Sequence, residues 1–234
     1  MIEIIPAIMP DNYNDLLRKS ERVKGVVPYA QIDVMDGKFV PSISWPYDDE
    51  GIKRFESMVN NDEMLPYWEE IDYEIDLMVE NPEHIVKDWI KLGARRIIVH
   101  FESTNRLREI IAILDDRVLE EKDLVAVAPV EFGVAISSDT SFDSLFPYMY
   151  DIDFVQFMGI KKIGYQGEKF DENVIERIKG LRAQCPHLII SVDGGVSLET
   201  APKLINAGVS RLVSGSSIFN SRNIIETISK LKQG

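Results

Sequence analysis

The sequence predicts an α/β fold, a single (β/α)₈ TIM barrel in which residues 1–234 form one domain. Short segments rich in Ile and Val alternate along the chain with segments of helical periodicity, and there are eight such pairs. Eight units in a chain of 234 residues favour a closed barrel over an open, doubly wound sheet. No linker or low-complexity tract interrupts the alternation, so we expect no second domain.

The strands are predicted where β-branched residues cluster in short apolar runs. Such side chains pack well on a pleated, buried surface, and strands that are covered on both faces lack a regular polar alternation. In chain order the predicted strands are residues 2–8, 29–34, 71–79, 95–101, 130–136, 154–158, 188–193 and 211–214.

The helices are predicted where apolar residues recur every three to four positions after each strand. Asp11 and Thr104 are the predicted N-caps of the first and fourth helices. Pro82 fits the first turn of the third helix, and Gly93 fits its end. In chain order the predicted helices cover residues 11–24, 52–59, 82–93, 104–114, 142–149, 172–183, 198–206 and 224–232.

The composition excludes several classes of partner. The 39 acidic and 26 basic residues give a formal net charge of −13, which argues against binding to nucleic acid or to an anionic membrane. No apolar run approaches the roughly 18 residues of a membrane span, and the amino terminus lacks the features of a signal peptide. A single cysteine, Cys185, rules out an internal disulfide. We therefore expect a cytoplasmic protein.

Two aspartates stand at the ends of predicted strands, where aspartate is a poor strand former. Asp33 is the next-to-last residue of the second predicted strand, and Asp193 is the last residue of the seventh. The active site of a TIM barrel lies at the carboxyl ends of its strands, so the two side chains would meet a ligand from different sides. Such a pair suits removal of a proton from one face of a carbon and its return to the other face. The alternative is that each aspartate forms a turn or caps a helix.

Small residues follow the seventh and eighth strands. Gly194 and Gly195 come directly before one helix, and Gly215 and Ser216 come before another. Backbone N–H groups in such turns, together with a helix N-terminus, can bind a phosphate group. Phosphate sites recur at this position of the barrel. The two segments together therefore predict a phosphate site.

Several motifs make the sequence resemble the ribulose-phosphate 3-epimerase family over nearly its whole length. The matching segments are DVMDG (33–37), FVP (39–41), LMVENP (77–82), GYQG (164–167), KF (169–170), VDGGV (192–196) and VSGS (213–216). The resemblance implies a metal-dependent TIM barrel that interconverts ribulose 5-phosphate and xylulose 5-phosphate. It also implies that Asp33 and Asp193 are both the acid/base pair and ligands of the metal.

The resemblance further implies which residues surround the substrate. Met35, Met78 and Met158 would pack around the reacting carbons, although methionines also serve as ordinary core residues. Ala7 stands where the family has a serine that contacts the substrate. The residues expected to bind the phosphate and the rest of the substrate are Gly164, Tyr165, Gln166, Gly167, Gly194, Gly195, Gly215 and Ser216.

The sequence departs from the family at the metal site. Gln31 and Asp76 stand in the places of the family's two histidine ligands, and His100 is expected to be structural. Carboxylates and amides suit Mg²⁺ or Mn²⁺ better than Zn²⁺. We therefore expect one of these two ions, with a metal-free site as the alternative. The predicted ligand set consists only of oxygen donors: Gln31, Asp33, Asp76 and Asp193.

Three functions remain open at this point. The first is an epimerase of a phosphorylated ketose with an altered metal site. The second is a lyase or aldolase, which would need a lysine at a strand end, and only Lys38, Lys161 and Lys162 come near one. The third is a catalytically silent barrel that acts as a binding or assembly module. The expected partners are a small phosphorylated sugar and further copies of the chain in a homo-oligomer. Trp45, Tyr47 and Trp68 are candidate contact residues, with packing on their own helix as the alternative.

Overall fold

The strands of the protein close into one parallel barrel, which confirms the predicted TIM barrel. The structure is a computed structural model that describes residues 2–120, 129–165 and 167–234. The first strand pairs with both the second and the eighth, so the sheet has no open edge. The strands are β1 (Glu3–Ile8), β2 (Tyr29–Met35), β3 (Asp72–Met78), β4 (Arg96–His100), β5 (Glu131–Ile136), β6 (Phe154–Met158), β7 (Ile189–Asp193) and β8 (Arg211–Ser214).

Helices cover the outside of the barrel between successive strands. The α-helices in the described part of the chain are α1 (Tyr13–Glu21), α2 (Gly51–Asn60), α3 (Val86–Lys91), α4 (Leu107–Glu120), α5 (Asn173–Gln184), α6 (Ala201–Ala207), α7 (Ser216–Phe219) and α8 (Ile224–Gln233). Short 3₁₀ helices lie at Pro82–His84, Phe101–Ser103 and Phe142–Tyr148. None of the helices formed by the described residues has the length and apolar character needed to cross a bilayer.

Two predicted helix caps were wrong. The residue that caps α1 is Asn12, whose side chain accepts a hydrogen bond from the backbone N–H of Asp15 at 3.0 Å, and Asp11 lies one residue earlier. Thr104 accepts a hydrogen bond from the backbone N–H of Arg106 at 2.9 Å in a turn before α4 begins. Both predictions failed because several short polar residues precede each helix, and any of them could form the cap.

Two predicted α-helices take a different form. The segment predicted as a helix over residues 82–93 divides into a 3₁₀ turn and the short helix α3. The segment predicted over residues 142–149 is a 3₁₀ helix with Pro147 inside it. A proline in that position cannot donate the next hydrogen bond of an α-helix. The short helix α7, which follows β8 directly, was not predicted at all.

The main apolar core lies between the barrel wall and the helices. A cluster of aromatic side chains fills it beside α2 and α3, with the ring centroids of Trp45 and Trp89 5.6 Å apart and those of Phe55 and Trp89 4.8 Å apart. Trp45 is fully buried in this cluster, so it does not face a partner, whereas Trp68 is half exposed. Burial of such large rings contributes much of the stability of the helical layer.

Charged residues close the inside of the barrel at the amino ends of the strands. Arg96 contacts Glu74 at 3.1 Å, Glu3 at 3.2 Å and Glu131 at 3.2 Å. Arg211 contacts Glu3 at 3.0 Å and Glu131 at 2.6 Å. Three carboxylates thus share two guanidinium groups, and Glu74 is fully buried among them. The opposite end of the barrel is therefore the one that is open to ligands.

Candidate active site

Three aspartates from β2, β3 and β7 meet inside the carboxyl end of the barrel. Asp33 and Asp76 are direct neighbours in the register of β2 and β3, and Asp193 is the last residue of β7. One carboxylate oxygen of each residue lies within 4.8 Å of the others. The alternation of side chains along a strand directs all three inward. The two aspartates predicted from the strand ends are therefore close together, and Asp76 joins them.

Gln31 connects the two predicted catalytic aspartates. Its Nε2 atom donates to Asp33 Oδ1 at 2.7 Å and to Asp193 Oδ2 at 2.8 Å. The side chain is completely buried, and among the described residues its Oε1 atom has no hydrogen-bond partner. Gln31 therefore acts as a donor that holds two carboxylates side by side.

Asp76 lies deeper than the other two aspartates and is held by residues of β4 and β6. His100 Nε2 lies 3.1 Å from Asp76 Oδ1, and Gln156 Nε2 donates to Asp76 Oδ2 at 3.1 Å. Gln156 in turn accepts a hydrogen bond from the Ser191 hydroxyl at 3.1 Å. All four side chains are almost completely buried. His100 was expected to be structural, but it directly contacts the carboxylate cluster.

Burial and mutual repulsion perturb the acidities of these groups. Burial, followed by the neighbouring charges of Asp193 and Asp76, raises the pKa of Asp33 well above its usual value. Burial and the charge of Asp76 raise the pKa of Asp193 to about 7, although hydrogen bonds from Gln31 and the Gly194 backbone act to lower it. Burial opposes protonation of His100, but Asp76 outweighs it and raises the pKa of the imidazole. The site therefore holds carboxyl groups that exchange protons near neutral pH.

A cavity of about 440 Å³ opens above the aspartates. Asp33 and Asp193 line it, whereas Gln31 and Asp76 lie beneath its floor. The structure also places on its wall all four residues predicted to line the substrate cavity: Ala7, Met35, Met78 and Met158. The cavity thus combines apolar side chains with several charged and hydroxyl groups, among them Glu168, Lys169 and Glu172.

The opposite wall of the cavity is formed by backbone and small side chains. The predicted phosphate-binding residues found there are Gly164, Tyr165, Gly167, Gly194, Gly195, Gly215 and Ser216. Gln166, which was predicted with them, lies outside the described residues. Gly195 has a φ of +68°, and a Cβ at that position would lie 2.9 Å from the Cα atom of Phe170. The two backbone segments at Gly195 and Phe170 can pack this closely only because Gly195 has no side chain.

Two loops border the mouth of the cavity. After β2, the Asp36 carboxylate accepts hydrogen bonds from the backbone N–H groups of Lys38 at 2.8 Å and Glu80 at 2.9 Å, so it shapes a turn. The side chain of Lys38 is exposed, as are those of Lys161 and Lys162 after β6. None of these three lysines lines the cavity that Asp33 lines. A lyase or aldolase that depends on lysine would need one of these side chains in the cavity, so these three positions do not favour that function.

The predicted ligand set could hold a hard divalent cation. Carboxylate oxygens within 4.8 Å of one another match a shared ion, since metal–oxygen bonds of Mg²⁺ and Ca²⁺ are about 2.0–2.6 Å long. The same three carboxylates, crowded and buried, are unfavourable without a compensating positive charge. Gln31 could serve as a fourth ligand only through Oε1, because its nitrogen is a donor. The donor set is thus compatible with Mg²⁺ or Mn²⁺ and is unlike the nitrogen and sulfur sites that Zn²⁺ prefers.

The closed barrel and the position of its cavity define a TIM barrel whose active site lies at the carboxyl ends of the strands. Residues 3–219 match the model of the ribulose-phosphate 3 epimerase family, and the chain belongs to that family of isomerases. It is 28% identical over 239 residues to ribulose-phosphate 3-epimerase of Bacillus subtilis, covering 99% of each chain. It is 31% identical over 240 residues to the chloroplastic ribulose-5-phosphate-3-epimerase of Arabidopsis thaliana, covering 99% of this chain and 76% of that one.

Solved structures with the same barrel include enzymes of other activities. The protein is similar to 3-keto-L-gulonate-6-phosphate decarboxylase from Vibrio cholerae, with a TM-score of 0.67, 15% identity and coverage of 100% of this chain and 95% of that chain. It is equally similar to 3-hexulose-6-phosphate synthase from Salmonella typhimurium, with a TM-score of 0.67, 13% identity and coverage of 99% and 97%. At such identities the likeness shows the fold alone.

Proposed function

We propose that this protein inverts the configuration at C3 of a phosphorylated ketose, interconverting D-ribulose 5-phosphate and D-xylulose 5-phosphate. The observation that carries the proposal is the pair of carboxylates, Asp33 and Asp193, that line one cavity together with a glycine-rich wall. Family membership supports the same reaction. Decarboxylases and synthases share this fold, but at 13–15% identity that likeness supports no activity for this chain.

In this mechanism one carboxylate removes the C3 proton, which is acidic because C3 is next to the C2 carbonyl. The electrons of the broken C–H bond form the C2–C3 double bond, and negative charge moves to the C2 oxygen to give an enediolate. The second carboxyl group delivers its proton to the opposite face of C3, and the C2 carbonyl forms again. Each turnover therefore exchanges the protonation states of Asp33 and Asp193.

The acidities of the two groups suit a pair that shares a proton. Burial and mutual repulsion raise the pKa of Asp33 well above its usual value and that of Asp193 to about 7, so one carboxyl group can hold a proton while the other is ionised. A carboxyl group with a pKa near the working pH is suited to proton transfer in either direction. The reverse reaction would use the same two residues in exchanged roles.

The remaining residues of the cavity would position the substrate. The backbone N–H groups at Gly194, Gly195 and Gly215 would bind the phosphate, with Ser216 at the start of α7 adding its own N–H. The thioether side chains of Met35, Met78 and Met158 would pack around the reacting carbons and exclude water from the enediolate. Ala7, which has no hydroxyl group, would contribute only its methyl surface.

A divalent cation would be held by Asp33, Asp76 and Asp193, with Gln31 as the remaining oxygen ligand. When bound, such an ion would supply positive charge next to the developing enediolate oxygen. The residues of this chain would orient the ligands: His100 and Gln156 fix Asp76 through its two oxygens. We propose Mg²⁺ or Mn²⁺ for this role, because the ligands are all oxygen atoms.

The proposed function can be tested by hydrogen exchange and by conversion. Purified protein is incubated in deuterium oxide with ribulose 5-phosphate and with Mg²⁺ or Mn²⁺, and C3 is observed by nuclear magnetic resonance. We expect deuterium at C3 and the accumulation of xylulose 5-phosphate. An absence of both exchange and conversion with every divalent cation tried would refute the proposal and would favour a catalytically silent barrel.

A further inference from the structure

The most unusual polar group in the site is the amide of Gln31. Both hydrogen bonds that it makes come from one atom, Nε2, which donates to Asp33 at 2.7 Å and to Asp193 at 2.8 Å. The other end of the amide, Oε1, is buried and has no partner among the described residues. Buried polar atoms nearly always have a hydrogen-bond partner, so an unpaired amide oxygen next to a carboxylate cluster calls for an explanation.

The nitrogen end of Gln31 serves the purpose that a cation would serve. It presents two partly positive hydrogen atoms to two carboxylates that would otherwise repel each other. The hydrogen bonds come from within the protein, so the pair stays together without a bound ion. A neutral histidine has only one N–H group and could not donate to both aspartates at once. This property therefore depends on the amide that this chain has at position 31.

The oxygen end of the same amide is a ligand for a hard cation. Amide carbonyl oxygens coordinate Mg²⁺ and Ca²⁺ in proteins, whereas amide nitrogens do not. The two ends of the group have nearly the same shape, so a half turn about the Cγ–Cδ bond exchanges them without moving the backbone. After that turn Oε1 would take the place of Nε2 beside Asp33 and Asp193. Only a cation between these oxygens would make the new arrangement favourable.

We propose that Gln31 is a reversible internal substitute for a divalent cation. In the cation-free protein its N–H groups join Asp33 to Asp193, and when Mg²⁺ or Mn²⁺ binds, the amide turns over and Oε1 becomes a ligand. The inference rests on the cation site described under the proposed function. It adds that the hydrogen bonds from Nε2 hold the two carboxylates together in the absence of the ion, so the protein can fold without it.

The first test observes the amide itself. The side-chain NH₂ signals of Gln31 are assigned by their loss in Gln31→Glu, and Mg²⁺ is added to ¹⁵N-labelled protein while its binding is followed by calorimetry. We expect the Gln31 signals to leave the hydrogen-bonded range as the ion binds, and those of the exposed Gln184 to stay in place. Signals that do not move when binding is saturated would overturn the proposal. So would the absence of any binding of Mg²⁺ and Mn²⁺.

The second test compares the thermal stability of two matched variants. Gln31→Glu keeps the shape and the oxygen ligand but loses both N–H groups, and Gln184→Glu makes the same chemical change on the surface. We expect wild-type protein and Gln184→Glu to unfold at nearly the same temperature as each other in EDTA, and both to gain the same small increase when Mg²⁺ binds the folded state. Gln31→Glu should unfold roughly 5 °C or more lower in EDTA and recover when Mg²⁺ is added. If Gln31→Glu and Gln184→Glu unfolded at the same temperature in EDTA and responded equally to Mg²⁺, the proposal would be overturned.

Neither test requires turnover. A protein without epimerase activity could still show the turn of the amide, and an active epimerase could still lack it. Failure of the inference about Gln31 is therefore distinguishable from failure of the proposed function.

Discussion

Replacing Glu74 by glutamine should remove one separable part of the pH dependence of the stability of this protein. Glu74 lies at the closed end of the barrel and is fully buried, with Arg96 Nη1 3.1 Å from its Oε2 atom. Burial raises the pKa of the Glu74 carboxyl from 4.5 to about 7, although Arg96 and Arg211 oppose the change. The two guanidinium groups are shared with Glu3 and Glu131, so they do not fully compensate the third carboxylate.

The size of the effect follows from that difference in pKa. The rise of about 2.5 pKa units corresponds to a loss of about 3 kcal/mol in the free energy of unfolding, at about 1.36 kcal/mol per unit. About 2.5 kcal/mol of this loss occurs between pH 5 and pH 8. Because the folded pKa lies above the unfolded one, the unfolded chain loses its proton first as the pH rises. The contribution of Glu74 therefore leaves stability unchanged at low pH and reduces it between about pH 4.5 and pH 7.

The assay is urea denaturation of wild-type protein and Glu74→Gln at several pH values. We expect the variant to gain about 2.5 kcal/mol relative to wild type on going from pH 5 to pH 8. Asp33 and Asp193 also titrate in this range, but they are present in both proteins and cancel in the difference. A difference between the two proteins that changes by less than about 1 kcal/mol over this range would refute the reasoning.

Three further predictions concern the site and the core. Gly195→Ala should raise KM for the phosphorylated substrate roughly tenfold or more, because the new Cβ would collide with Phe170. Gly167→Ala is the control: Gly167 also has a positive φ but has open space around it, so KM should rise less. Asp33→Asn should abolish turnover yet raise the unfolding temperature in EDTA by roughly 2–5 °C, because it removes one of three crowded carboxylates. Trp89→Ala should lower the free energy of unfolding by about 3–5 kcal/mol, measured in urea.

Each of these predictions has an outcome that would contradict it. Equal values of KM in the two glycine variants would show that the approach of the backbone at Gly195 is unimportant. A lower unfolding temperature for Asp33→Asn would mean that the carboxylates do not repel in the folded protein. A loss of less than about 1 kcal/mol in Trp89→Ala would show that the aromatic cluster relaxes around the missing ring.

The barrel and the two outer aspartates could be predicted because they leave local signals. An aspartate near the carboxyl end of an apolar strand is visible in the order of residues: Asp33 lies two residues before the end of β2, and Asp193 is the last residue of β7. The predicted bounds of β6 and β8 agree with the structure, because apolar runs with polar or turn-forming neighbours define them. The glycine-rich wall follows from the same kind of local pattern.

The buried hydrogen-bond network could not be predicted, because it joins residues from different strands. His100, Gln156 and Ser191 each stand in apolar runs and give no sign that they would lie beside Asp76. The way Gln31 holds Asp33 and Asp193 also depends on β2 and β7 coming together. Polar residues inside a strand reveal that they need partners, but only the closed barrel determines which partners they meet.

The most direct test of the central claim is to remove each catalytic carboxyl group separately and to follow exchange with both epimers. If Asp33 and Asp193 act on opposite faces of C3, each of Asp33→Asn and Asp193→Asn keeps one functional base. We expect one variant to exchange the C3 hydrogen of ribulose 5-phosphate with deuterium oxide and the other to exchange that of xylulose 5-phosphate, with interconversion abolished in both. If both variants kept exchange with the same epimer, or if both lost it, the result would contradict the two-aspartate mechanism.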